Sequence, residues 1–229
     1  MANVLVSKLF LRQCRREKTI IFRQKSILFQ AFLFFLMFVA FFPLTLPFDL
    51  KILQLICPGV VWLALSLAIF LAAERFYQTD IQCAYLEQWL VQKIPLIHYV
   101  LSKWLVHGLV NLAGILLCVP LIALFYQLNT YQMLALVFSM ICGLPGLLAM
   151  CGLVSAFGAY GPNRSLLMLL ILFPLMIPIL MLGSFCLSTA LQGLAFSPYI
   201  ALLAAMSLLM VFILSFASAA ILKICLENA

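Results

Sequence analysis

Two stretches of this chain, residues 104–163 and 165–222, contain no Asp, Glu, Lys or Arg at all. Each is roughly 60 residues long, while a helix that crosses the hydrocarbon of a bilayer uses about 20. Each stretch must therefore fold back once. Polar breaks mark where: Tyr126-Gln127-Leu128-Asn129-Thr130-Tyr131-Gln132 in the first, and Ser188 to Pro198 in the second. Shorter charge-free runs cover 26–48 and 52–73. Six transmembrane helices follow, at about 27–46, 52–73, 104–126, 133–157, 165–187 and 199–222, all within a single transmembrane domain, 1–229. A barrel is excluded because the apolar runs are continuous rather than alternating. The class is all-α and polytopic.

Composition closes off the soluble alternatives. The chain is 67% apolar and 8% charged, against about 45–50% and about 25% in soluble domains. A net charge of +7 on so few charges does not make a nucleic-acid surface. Placement explains the excess. Six spans put both termini on one side, with Lys8, Arg12, Arg15, Arg16, Lys18, Arg23, Lys25, Arg75, Lys93, Lys103, Arg164 and Lys223, and leave only Lys51 opposite. The positive-inside bias makes that side, with both termini, cytoplasmic.

Residues 1–26 lack the cleavage site of a signal peptide. Lys8, Arg12, Arg15, Arg16 and Arg23 share one helical face, with Val6, Phe10, Cys14 and Ile21 roughly opposite. This is the pattern of an amphipathic helix in the cytoplasmic interface, its cations near anionic headgroups. Glu17 interrupts the apolar side, and Leu5 and Phe22 fall outside it. Simple anchoring and a docking or gating role are both open to such a helix.

The segments on the opposite side are too short to build a soluble site, so loop 74–103 is the informative one. Thr79 or Asp80 can cap a helix within 79–94, which Pro95 separates from the next span. Tyr85, Leu86, Trp89 and Leu90 share a face there beside Glu87, and such an aromatic-aliphatic knob suits a groove on a partner protein. The alternative is packing back onto this protein's own helix ends.

Catalytic constellations are missing. None of the ten glycines is followed by lysine, so there is no phosphate-binding P-loop, and neither HExxH nor GxSxG occurs. The chain is not expected to be an enzyme. Eight cysteines form no CxxC pair, and no metal site is expected. His98 and His107 are candidate haem-iron ligands, but both lie close to the interface. No carboxylate occupies a span centre, against an ion-coupled transporter. Pro58, Gly59, Pro174 and Pro178 are gating or packing candidates. Gly143, Gly146, Ala149, Gly152 and Ala156 form a low-profile strip for close helix packing, within the chain or between two copies.

A six-span chain with an interfacial N-terminal helix and a cytoplasmic loop between its second and third spans resembles the ABC-2 type of ABC-transporter permease. The runs Phe41-Phe42-Pro43-Leu44-Thr45, Cys57-Pro58-Gly59-Val60-Val61-Trp62, Glu74-Arg75-Phe76 and Leu86-Glu87-Gln88-Trp89-Leu90 are similar to the haem exporter protein B family. So are Pro162-Asn163-Arg164-Ser165 and Leu172 to Pro178. Cys83-Ala84 depart from that family, which commonly has an acidic residue and a glycine there.

The resemblance implies a permease subunit for haem export, or for release of a loaded haem chaperone, in cytochrome c maturation. Loop 79–94 would be the coupling helix, with Tyr85, Leu86, Glu87, Trp89 and Leu90 docking a cytoplasmic ABC ATPase. The other implied partners are a second copy, a haem-handling membrane subunit and a periplasmic haem chaperone, in the bacterial inner membrane. ATP would act through the ATPase, and haem would be cargo rather than a cofactor of this chain. With no convincing haem ligand along the spans, release is slightly favoured. A permease for lipid, polysaccharide or drug, and a non-transport scaffold for an ATPase, are the alternatives.

Overall fold

The computed structural model describes residues 2–23, 25–46, 49–73, 76–83, 85–91, 95–158 and 164–227, with side chains apart from 2–8, 25–28, 88, 90 and 164–173. Lys8 and Leu90 thus lie outside the described side chains. The described residues form ten helices and no strands. They are α1 (Ala2–Arg23), α2 (Lys25–Thr45), α3 (Leu50–Ala73), α4 (Gln78–Gln82), α5 (Tyr85–Val91), α6 (Leu96–Leu116), α7 (Val119–Tyr126), α8 (Thr130–Gly158), α9 (Arg164–Leu191) and α10 (Ser197–Glu227).

The six expected spans correspond to α2, α3, α6 with α7, α8, α9 and α10. Five of these are long and apolar enough to cross a membrane, and the described apolar part of α2, Phe29–Thr45, is shorter. The third span differs from expectation. Its helix begins at Leu96 rather than 104, because Lys103 is neutralised inside the protein and need not stay outside it. It is also interrupted at Leu117–Cys118, just before Pro120, whose ring and missing N–H disturb the helical ladder.

The polar breaks fold back through local hydrogen bonds. At the start of α8, Asn129 Oδ1 accepts from the Gln132 N–H and Gln132 Oε1 accepts from the Asn129 N–H, each at 2.9 Å, a reciprocal capping box. At the end of α9, the Leu194 N–H donates to the Thr189 carbonyl and the Gly193 N–H to the Ala190 carbonyl. Gly193 has φ 73°, so this is a Schellman stop that glycine accommodates without strain.

Helix α8 is central, packed by α3, α6, α9 and α10. Between apolar helices in lipid, association rests on close packing of small residues, and the glycine strip supplies it within this chain. A Cβ on Gly143 would stand 2.4 Å from the Trp62 ring, and one on Gly152 would stand 2.3 Å from Trp104 Nε1. Trp62 also fills the space over Gly183 of α9. Gly146 lies against Ile179 and Ser207, and its N–H donates to Ser207 Oγ at 2.8 Å. Ser66, Ser102, Ser139 and Ser215 donate to carbonyls three residues back, which satisfies hydroxyls that have no water to meet.

Candidate functional site at the loop between the second and third spans

After α3 ends at Ala73, Phe76 and Tyr77 turn the chain into the single helical turn α4. Neither Thr79 nor Asp80 caps a following helix, contrary to the sequence expectation: both lie within α4, whose own N-cap Tyr77 makes no side-chain cap bond. Asp80 is instead buried. Its carboxylate has been recruited by partners distant in sequence, which offer charge where a cap would offer only N–H groups.

Arg16 of α1 donates from Nη2 to Asp80 Oδ1 at 2.8 Å and from Nη1 to Glu17 Oε1 at 3.2 Å. Lys103 of α6 is hydrogen-bonded to Asp80 Oδ2, as is the Tyr99 hydroxyl. Lys103 Nζ also lies 3.5 Å from Glu17 Oε2. Glu17 is completely buried, and its Oε1 accepts from Gln13 Nε2 at 2.7 Å. The Tyr85 hydroxyl of α5 donates to Gln13 Oε1 at 2.6 Å, and the Arg16 guanidinium stacks over the Tyr85 ring at 3.5 Å. Two cations thus face two carboxylates, with Glu17, Asp80 and Lys103 buried and Arg16 reaching in from a partly exposed position. Isolated, each buried charge would be strongly disfavoured there; pairing offsets much of that cost, although Glu17 Oε2 has Lys103 as a counter-charge and no hydrogen bond. Burial pushes the Asp80 carboxyl up, but Lys103, Arg16 and Tyr99 together outweigh it and hold the group below its ordinary range.

The amphipathic reading of α1 is corrected here. Phe10, Gln13, Glu17 and Ile21 are on the side that packs against α6 and the loop. Arg12, Arg15 and Arg23 are exposed, whereas Arg16 turns inward. Among the described side chains of this helix, the exposed large apolar ones are Leu11 and Phe22, which share a stripe with Arg15 and Lys18 at helical spacing. Glu17 looked like a flaw in the apolar face because its partners, Lys103 and His107, lie about ninety residues away.

The knob on α5 is corrected as well. Leu86 is fully buried and Trp89 nearly so, with the Trp89 ring 5.8 Å from Tyr99. The loop packs back onto α6 because Tyr99 and its neighbours give these side chains an apolar wall. Glu87 and Val91 are exposed, so the outward surface of α5 is the opposite face. Tyr77, which no sequence motif marks, accepts from Trp104 Nε1 at 3.0 Å and ties the loop to α6.

His107 stands with Nε2 3.8 Å from Glu17 Oε2 and its ring 4.2 Å from that of Phe76. His98 is half-buried at the start of α6. The two histidines are not brought together. Pro58 is buried while Gly59, Pro174 and Pro178 are exposed, and a Cβ on Gly59 would meet nothing within 4 Å. A groove of about 520 Å³ between α1, α6, α8 and α10 is lined by Phe10, Trp104, Leu109, Ile141 and Leu148 among others, and none of its lining residues is His, Cys or Met.

Residues 7–225 match the family described as CcmB protein. Among curated relatives, the heme exporter protein B of Pseudomonas aeruginosa is 36% identical over 220 residues, which is 96% of this chain and 98% of that protein. That of Haemophilus influenzae is 32% identical over 221 residues, 96% of this chain and 100% of that one. The Rhodobacter capsulatus protein of the same name is 30% identical over 192 residues, covering 83% and 88%. The match runs from α1 through the α4–α5 loop to α10, and the chain belongs to the CcmB protein family.

Proposed function

We propose that this chain is the membrane permease subunit of a haem export system for cytochrome c maturation, driven by a separate ABC ATPase. The carrying observation is the near full-length likeness to proteins named heme exporter protein B. The loop between the second and third spans supports the coupling role, because it is bound on its inner face to α1 and α6 while α5 keeps an outward face at Glu87 and Val91. On this reading the chain sits in the bacterial inner membrane with both termini cytoplasmic. It works with a second copy, a haem-handling membrane subunit and a periplasmic haem chaperone. Haem is cargo and ATP is hydrolysed by the partner.

Between moving haem and releasing a loaded chaperone, the apolar lining of the large groove favours release: it offers contact area but no iron ligand. Mild-detergent capture of the tagged chain from its native membrane tests the proposal. A P-loop ATPase arriving with haem-binding membrane subunits is the expected result. An ATPase without haem proteins moves the reading to a permease for another substrate. No ATPase at all overturns it.

A further inference from the structure

We propose that the Arg16–Glu17–Asp80–Lys103 cluster is a clamp, in which Glu17 and Asp80 are positioning residues that join α1, the α4–α5 loop and α6 into one moving body. The inference rests on the permease reading. It goes further by assigning how a push on the loop reaches a transmembrane helix.

Three elements far apart in sequence meet in this cluster, and each contributes charge: Arg16 and Glu17 from α1, Asp80 from α4 and Lys103 from α6. Apolar side chains of the same volume would hold helices together at least as well, since buried ion clusters are poor sources of stability. Hydrocarbon contacts slide, however, whereas charge-assisted hydrogen bonds fix one register. The two carboxylates share both cations, so a shift of the loop without α6 or α1 would leave a buried charge unpaired. Arg16 stacking on Tyr85, and Tyr85 bonding Gln13, extend the same restraint from α4 to α5.

The upper end of the third span has partly different neighbours: α7 packs on α2, α3 and α8, whereas α6 packs chiefly on α1, α8 and α10. Beyond α6 the ladder passes through an i−3 bond, from the Cys118 N–H to the Ile115 carbonyl, and Pro120 supplies no N–H. Past that break, the Tyr126 hydroxyl of α7 donates to the Val39 carbonyl of α2 at 3.0 Å. The break at Leu117–Cys118 is therefore the place where the clamped α6 can tilt relative to α7.

The test uses the complete complex, captured on the tagged chain, with Asp80→Asn and Glu17→Gln as near-isosteric variants. Two quantities are read: ATPase retained on the chain, and c-type cytochrome formed per retained ATPase. A clamp predicts retention close to wild type and a fall in cytochrome per ATPase of about tenfold or more, within the usual range of coupling between sites. Asp80→Glu, which keeps the carboxylate, restores most of it. Wild-type yield per retained ATPase in both variants overturns the clamp alone. Loss of retention together with loss of thermal stability in both shows a folding element only, and overturns it too. A wild-type chain that retains no ATPase overturns the permease reading and the clamp with it.

Discussion

The indole of Trp62 lies so close over Gly183 that a Cβ on that glycine would stand 2.1 Å from Cε2. Trp62 is almost completely buried, with Gly143 of α8 approached in the same way. The ring is wedged between two helices and has no free direction in which to yield. Gly183→Ala is therefore expected to destabilise the protein by about 1–3 kcal/mol, the usual cost of overpacking, despite alanine's better helix propensity. Thermal unfolding of the detergent-solubilised chain measures it. Trp62→Ala in the same background should recover the loss caused by the added methyl, so the double variant falls short of the sum of the singles.

Arg15 and Arg16 are neighbours with opposite fates. Arg16→Ala removes hydrogen bonds to two buried carboxylates, worth about 1.5–3 kcal/mol each for charged partners. Arg15 is exposed, and its replacement should stay within about ±0.5 kcal/mol. Arg16→Lys keeps the charge but not the planar fork that reaches both acids, and should recover only part of the loss. Melting temperatures of the three variants, taken side by side, decide it.

The pH dependence of the cluster follows from Asp80. Its carboxyl is held below the ordinary range in the folded chain. Its contribution is therefore fully present above the unfolded carboxyl value of about 3.9, and is lost as pH falls through the lower folded value. The stability difference between wild type and Asp80→Asn should be flat from neutral pH down to about pH 5 and shrink only well below it. A difference that collapses between pH 7 and pH 5 would contradict this assignment.

The two faces of α5 separate packing from docking. Trp89→Ala should cost about 3–5 kcal/mol, as large-to-small changes in a core do, because Trp89 is buried against Tyr99. Val91 is 82% exposed, so Val91→Asp should leave the melting temperature unchanged and lower ATPase capture. Unaltered capture with Glu87→Arg and Val91→Asp combined would place the docking surface elsewhere.

At the start of α8, Asn129→Ala removes half of the reciprocal cap with Gln132. A loss of about 0.5–2 kcal/mol is expected, with no effect on ATPase capture, since the cap sits at the opposite end of the bundle from the loop. The same melting and capture assays read both.

The apolar spans and the family could be read from the chain itself. Runs without charge between 104 and 222 are properties of local composition. A bilayer converts composition into topology without needing to know which helix touches which. The breaks at 126–132 and 188–198 were legible for the same reason: cap and Schellman bonds form between residues a few positions apart. The interior of the candidate site was not. Glu17 meets Lys103, Arg16 meets Asp80, and Gly183 meets Trp62 across separations that no periodicity encodes. Whether Leu86 and Trp89 face a partner or their own protein depended on the wall that Tyr99 happens to offer. Sequence pattern fixes how polar a helix face is, and only tertiary contact decides whether that face is buried with a counter-charge or left open. Burying two carboxylates and a lysine costs so much desolvation that it succeeds only where these charges and the partly exposed Arg16 arrive together.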